Sequence, residues 1–218
     1  MKSTTADDGE STALTPFQVE VAQRFFTLPE SVGFLLAGGA ALLAQHLIQR
    51  PTRDLDFFTR PGAGDVPAAR DAVERAAPAH GWTVDRIQDS PTFCRMLVHG
   101  PEDLLVDLAL DAPPGQPPEA SFVGPTFAPE ELAGRKLLAL FDRAEARDFA
   151  DVYTLAELYG KDLLLTRAAD LDEGFDHRSL AAQFATLSRF NDTDLPVEPA
   201  DVAAVRAFFA SWRSELLG

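Results

Sequence analysis

The spacing of apolar positions changes character near residue 127. Before it, short apolar runs alternate with turn signals; after it, apolar residues recur every three to four positions. Residues 1–13 are polar and acidic with almost no large apolar side chain, so they cannot offset the entropy of ordering and are expected to be disordered. From Pro16, the residues Phe17, Val21 and Phe25 share one face, with Gln18, Gln23 and Arg24 between them. This predicts an amphipathic helix capped by Thr15, with Pro16 at its first position. The run Gly33-Phe-Leu-Leu-Ala-Gly38 reads as a buried strand, and Ala40 to Gln49 as a helix apolar nearly all round and therefore buried.

After Thr59 a Pro-Gly-Ala-Gly loop leads into a helix over about Val66 to Ala79, ended by His80-Gly81. Three strands follow, Thr83 to Gln88, Phe93 to Val98 and Leu104 to Leu110, with turn signals between them that suit antiparallel pairing. The proline-rich stretch from Asp111 to Glu119 can only be a loop, and a short strand near Ser121 to Val123 is expected to close the sheet. Helical patterns then cover 130–142, 147–159, about 162–171, about 177–189 and 199–216. The chain thus divides into an α/β region, 14–127, and an all-helical region, 128–218.

Composition narrows the function. A hydrophobic content of 46% is that of a packed globular protein, and no apolar run approaches the roughly 20 residues of a membrane span. The start of the chain has no charged and then apolar leader pattern, so a cytoplasmic location and no membrane partner are expected. The net charge of −15 opposes nucleic-acid binding over most of the surface, and neither half of the chain is basic. Cys94 has no partner for a disulfide and is expected inside a strand as a small apolar residue. The four histidines are scattered, which disfavours a zinc site.

Several charged residues sit where burial is predicted. Asp54 and Asp56, two apart in a strand, point the same way. Either they lie at a strand end in water, or they share a small volume where a divalent cation relieves their repulsion. Asp107 lies in mid-strand between Val106 and Leu108, where an unpaired carboxylate is costly; Asp111, bordering the loop, reads as a turn residue. Three carboxylates on adjacent strands suit two Mg²⁺ ions. Gly38-Gly39, between strand and helix, lets backbone N–H groups approach a phosphate, although such a pair also makes tight turns for steric reasons alone. Farther on, Glu131 and Arg135 form an i,i+4 pair on a polar face, while Lys136 falls between Leu132 and Leu140 in the apolar arc. It either snorkels out to water or points into a cleft to hold triphosphate. Asp148 and Asp151 likewise fall on an apolar arc, though first-turn acids are also favoured by the helix dipole. Two antiparallel helices would bring Lys136 and Asp151 together.

These residues resemble a known pattern. Gly38-Gly39, Arg50-x-Thr52-x-Asp54-x-Asp56-Phe, Asp107, Lys136-Leu137-x-Ala139-Leu140 and Arg147-Asp148-x-x-Asp151 look like the AbiEii/AbiGii toxin family, a branch of the DNA polymerase β nucleotidyltransferase superfamily. The resemblance spans about residues 33–160. It implies an α+β fold, a polymerase β-like core with a mixed sheet followed by a helical region. It further implies an enzyme that transfers a nucleotide monophosphate from an NTP to an acceptor, tRNA or protein, within a toxin–antitoxin system that includes a cognate antitoxin. Carried over, Gly38 and Gly39 hold phosphates, Asp54, Asp56 and Asp107 hold Mg²⁺, Lys136 holds the triphosphate, and Asp151, with Asp148, is a further essential acid. Ala40 departs from relatives that carry Ser or Thr there. Two alternatives stand beside this reading: a catalytically silent NTP-binding or protein-binding module, and a small-molecule (antibiotic) nucleotidyltransferase.

Overall fold

The computed structural model describes residues 14–218; the segment expected to be disordered lies outside the described residues. Helix α1 (Pro16–Thr27) starts as its sequence predicts. The Thr15 hydroxyl accepts from the Gln18 N–H at 3.1 Å, and the Gln18 side chain accepts from the Thr15 N–H at 2.8 Å, so two otherwise orphaned donors are satisfied. The chain continues through β1 (Phe34–Ala37), α2 (Gly38–Ala44), β2 (Asp54–Thr59), α3 (Val66–Ala76), β3 (Thr83–Asp89), β4 (Phe93–His99), β5 (Asp103–Leu110), β6 (Glu119–Ser121) and β7 (Gly124–Thr126). Five helices follow: α4 (Pro129–Asp142), α5 (Ala146–Tyr159), α6 (Lys161–Leu171), α7 (His177–Ala185) and α8 (Val202–Leu217).

The seven strands form one sheet in the order β3-β4-β5-β2-β1-β7-β6. It is mixed: β2 runs parallel to β5 and β1 to β7, and the remaining pairs are antiparallel. Strand alternation gives the sheet two unlike faces. Leu55 and Phe57 of β2, Cys94, Met96 and Val98 of β4, and Val106 and Leu108 of β5 are all buried. On this face the Phe57 ring lies 4.1 Å from that of Phe25 in α1, and α3 packs across β4 and β5. Cys94 is completely buried there, as its apolar setting predicts, and burial pushes its thiol up to about 11, so it is not a nucleophile at neutral pH. The residues that alternate with these, Asp54, Asp56, Arg95 and Asp107, belong to the opposite face.

Three local expectations change. The second helix covers Gly38–Ala44 rather than reaching Gln49, because His46 adopts a left-handed backbone (φ 58°) and the Gln45 amide is drawn to the Thr126 hydroxyl at 2.7 Å. The closing strand is a hairpin, β6–β7, whose turn exposes Phe122 and is tied by the Ser121 hydroxyl to the Gly124 carbonyl at 2.7 Å. The last helix begins at Val202, with α7 ending at Ala185 in a 3-10 turn, Thr186–Arg189. Asp111 is a turn residue, accepting from the Ala112 N–H at 2.8 Å, and also a tether, since Arg135 of α4 donates to it at 2.7 Å. Arg135 also makes the expected pair with Glu131, 2.8 Å.

Buried apolar residues form one contiguous cluster that runs from Leu14 to Trp212, through the sheet, α2 and the helices. Within it α8 backs α5: the Phe209 ring meets Phe149 at 5.0 Å, nearly edge-on, and Phe184 of α7 at 5.0 Å. Phe149 lies between Asp148 and Asp151, so this packing fixes the helix that carries both acids. Removing a ring of this size from a close-packed setting leaves a cavity the neighbours fill only partly. Phe209→Ala is therefore expected to lower unfolding free energy by ~3–5 kcal/mol, measured by urea titration. A loss below about 1 kcal/mol would show that α8 is not a structural support of α5.

Candidate active site

The polar face of the sheet is built around the parallel pairing of β2 and β5. In that register Asp56 stands opposite Asp107, and Asp54 opposite Leu105. Asp54 and Asp56 share a face, so three carboxylates of two adjacent strands lie together. Their partners differ. Asp54 accepts from the Thr52 hydroxyl at 2.6 Å and from Arg147 at 3.2 Å. Asp107, buried, accepts a bidentate pair of bonds from Arg95, 2.8 and 2.6 Å, the residue directly opposite it on β4. Among the described residues no hydrogen-bond donor reaches the carboxylate of Asp56, the middle one of the set.

The glycine turn is fitted against these acids. Gly38 has a left-handed backbone (φ 61°), and a Cβ there would collide with the Asp56 carboxylate. A Cβ on Gly39 would come within 2.7 Å of the Thr52 hydroxyl. Steric contact of α2 with Asp56 of β2 and with Thr52 in the loop before it thus disfavours side chains at both positions, most strongly at left-handed Gly38, and it places the turn beside the middle carboxylate. Ala40, the departure from the pattern, is completely buried in α2.

The helical part supplies the opposing charges. Lys136 of α4 is buried and does not snorkel; its Nζ lies 3.1 Å from Asp151 and 3.4 Å from Asp148, both on α5 and both fully enclosed. Arg50, in the loop before β2, donates to both oxygens of Asp151, 2.6 and 2.5 Å, and to the Pro51 carbonyl at 3.0 Å. Arg143 donates to Asp148 at 3.0 and 3.2 Å. Asp148 also accepts from the Glu145 N–H at 3.2 Å, which makes it the third residue of a capping box at the start of α5. Asp148 therefore caps the helix and anchors a buried lysine at once, whereas Asp151 lies beyond the first turn and serves only to anchor the lysine and Arg50.

Electrostatics separates the carboxylates. Burial raises Asp56, and the neighbouring charges of Asp54 and Asp107 raise it further, so its carboxyl is pushed up to about 7. Burial acts on Asp54 too, but the Thr52 hydroxyl and the Arg147 guanidinium outweigh it and hold that carboxyl below its ordinary value. Asp148 is also held low, because Arg143 and Lys136 overcome its burial. The donor set, carboxylate oxygens with one unpartnered and repelled by its neighbours, fits a hard divalent cation. Among the described residues, however, no three Asp, Glu, His or Cys side chains converge as a ready cation site, since Asp54 and Asp107 are turned onto arginines.

All eight residues singled out in the sequence fall in this region: Gly38, Gly39, Asp54, Asp56 and Asp107 on the sheet side, Lys136, Asp148 and Asp151 on the helical side. Sequence reasoning missed Arg95 and Arg143, and named Arg50, Thr52 and Arg147 only as parts of a pattern. Arg95 had a signal, a charge alternating with Cys94, Met96 and Val98 and therefore on the face opposite the core. Its partner depends on the β4–β5 register.

A carboxyl held protonated in the fold to higher pH than in the unfolded chain makes the unfolded chain bind fewer protons between the two values. Stability then falls as pH rises from about 4 to 7. In metal-free buffer Asp56→Asn should remove that decline and raise unfolding free energy at pH 8 by an amount on the order of 1–3 kcal/mol. Urea titration of both proteins at pH 5 and pH 8 checks it; equal pH dependence of the two would contradict the assignment.

Comparison with known proteins agrees with this architecture. Among solved structures, JHP933 from Helicobacter pylori is 20% identical with a TM-score of 0.56, over 94% of this chain and 95% of that one. MenT4, a nucleotidyltransferase toxin from Mycobacterium tuberculosis H37Rv, is 15% identical with a TM-score of 0.58, over 91% of this chain and 82% of that one. At these identities the likeness concerns the fold, which is the α+β, polymerase β-like arrangement. No curated protein sequence matches the chain. The sequence model described as "Nucleotidyl transferase AbiEii toxin, Type IV TA system" matches residues 22–215, and the chain belongs to that family of nucleotidyltransferase toxins.

Proposed function

We propose that this enzyme moves a nucleotide monophosphate from an NTP to a hydroxyl of tRNA or of a protein, with loss of pyrophosphate, as the toxin of a system that includes a cognate antitoxin. The observation that carries the reading is the Asp54, Asp56 and Asp107 set, with its unpartnered middle carboxylate set against the Gly38-Gly39 turn. These three acids are proposed to hold Mg²⁺, two ions by analogy with the family. Bound there, the metal would promote deprotonation of the acceptor hydroxyl and neutralise charge on the transferring phosphoryl group.

The remaining roles belong to the chain's own groups. Gly38 and Gly39 keep the space beside Asp56 clear of side chains, which suits close approach of phosphates. Lys136 is proposed to contact the triphosphate, with Asp148 and Asp151 as positioning residues that keep its ammonium in place. Asp151 ties that lysine to Arg50 and so to the loop leading into β2, which accounts for an acid that the carboxylate set does not include. Although the chain carries a net charge of −15, Arg50, Arg95, Lys136, Arg143 and Arg147 gather around this one face, each paired with a carboxylate, so attraction of a polyanionic substrate here depends on the proposed metal.

Incubation with labelled NTPs, Mg²⁺ and cell extract is expected to label an RNA or protein acceptor. Asp56→Ala should reduce the rate by at least about a thousandfold, the order expected when several kcal/mol of transition-state stabilisation is removed. Labelling that persists in this variant would overturn the assignment.

A further inference from the structure

The two outer carboxylates of the set already have counterions, and these are not equivalent. Arg147 makes one long bond to Asp54, 3.2 Å, and divides its charge with Glu145 at 2.8 Å. Arg95 gives its whole fork to Asp107. Asp107 is 8% exposed, whereas the Arg95 side chain is 43% exposed. A guanidinium placed so can turn outward without leaving its own charge buried, and the Phe93 ring, 5.7 Å from it, offers a face on which to rest. Asp56 and Asp54 also act on Arg95, so its charge offsets the set as a whole and not Asp107 alone.

We infer that Arg95 is a built-in competitor for the divalent cation: it neutralises Asp107 while the metal is absent and must release that carboxylate before all three acids can hold the ion. This rests on the proposed metal-dependent reading of the site. The consequence is a latch. Without metal the outer two carboxylates are turned onto arginines in a charge-compensated arrangement, in keeping with the finding that, among the described residues, no three Asp, Glu, His or Cys side chains converge as a ready cation site. With metal, a half-exposed arginine is freed at the edge of the active face.

The alternative is a permanent brace, in which Arg95 orients Asp107 toward the metal, and the two predict opposite changes in metal affinity. Mn²⁺ binding by the full chain, read by electron paramagnetic resonance with and without a non-hydrolysable NTP analogue, distinguishes them. For a latch, Arg95→Gln should tighten Mn²⁺ about tenfold, and Arg95→Lys, which keeps the charge but loses the bidentate fork, should tighten it less. In an Asp107→Asn background only the part of the effect that Arg95's charge exerts on Asp54 and Asp56 should survive, so the gain from Arg95→Gln should fall well below about tenfold, and an undiminished gain there would overturn the latch. Unchanged or weaker Mn²⁺ binding in Arg95→Gln, or in Arg95→Lys if the glutamine variant fails to fold, would overturn the latch. Absence of Mn²⁺ binding by the wild-type chain, with or without the analogue, would overturn the metal reading itself and the latch with it.

Discussion

Like charge confined to one small volume is the constraint from which the rest of this structure follows. Parallel pairing of β2 with β5 sets Asp56 opposite Asp107, and strand alternation adds Asp54 to the same face. Carboxylates so placed cannot all remain ionised in a dry setting without compensation. The protein compensates the outer two with Arg147 and Arg95 and leaves the middle one to be raised toward neutrality. Nearby features conform to that choice. The turn beside Asp56 consists of glycines because a side chain would strike the carboxylate or Thr52.

The helical side meets the same difficulty with the signs reversed. Lys136 is an ammonium in an apolar arc, tolerable only because Asp148 and Asp151 face it from the next helix. Those acids in turn bind Arg143 and Arg50, so no charge in the network stands alone. Removing one partner from a buried ion pair typically costs ~3–5 kcal/mol because the other is left uncompensated. Such a network is a weak source of net stability and a strong source of geometry. Through Arg50 it fixes α4 and α5 relative to the loop that opens β2, and through Phe149 it is braced by α8. Residues far apart in the chain are thereby held as one rigid surround for the carboxylates.

Much of this was legible in the residues themselves, because misplaced charge is a local signal. Asp107 between Val106 and Leu108, Lys136 between Leu132 and Leu140, and Asp148 and Asp151 on an apolar arc each conflict with their surroundings in a way that periodicity exposes. The start of α1 was equally plain, since Thr15, Pro16 and Gln18 encode the cap. What escaped depends on tertiary register or on single backbone angles. The end of α2 rests on a left-handed His46, and the β6–β7 hairpin on a turn between two three-residue strands. Arg95 shows a charge out of place, but its partner is chosen by which residue of β5 lies across from it. Arg143 lies just past the end of α4, where a charge is ordinary, and nothing in its neighbourhood marks it.

Transfer of a nucleotidyl group and transfer of a terminal phosphoryl group differ in where a label on the NTP travels. The same reaction is run with NTP labelled at the α-phosphorus and, separately, at the γ-phosphorus, and the acceptor and small-molecule fractions are counted. Nucleotidyl transfer puts α-label in the acceptor and γ-label in pyrophosphate, in equal molar amounts. Label from the γ-phosphorus in the acceptor, or release of inorganic phosphate in place of pyrophosphate, would contradict it.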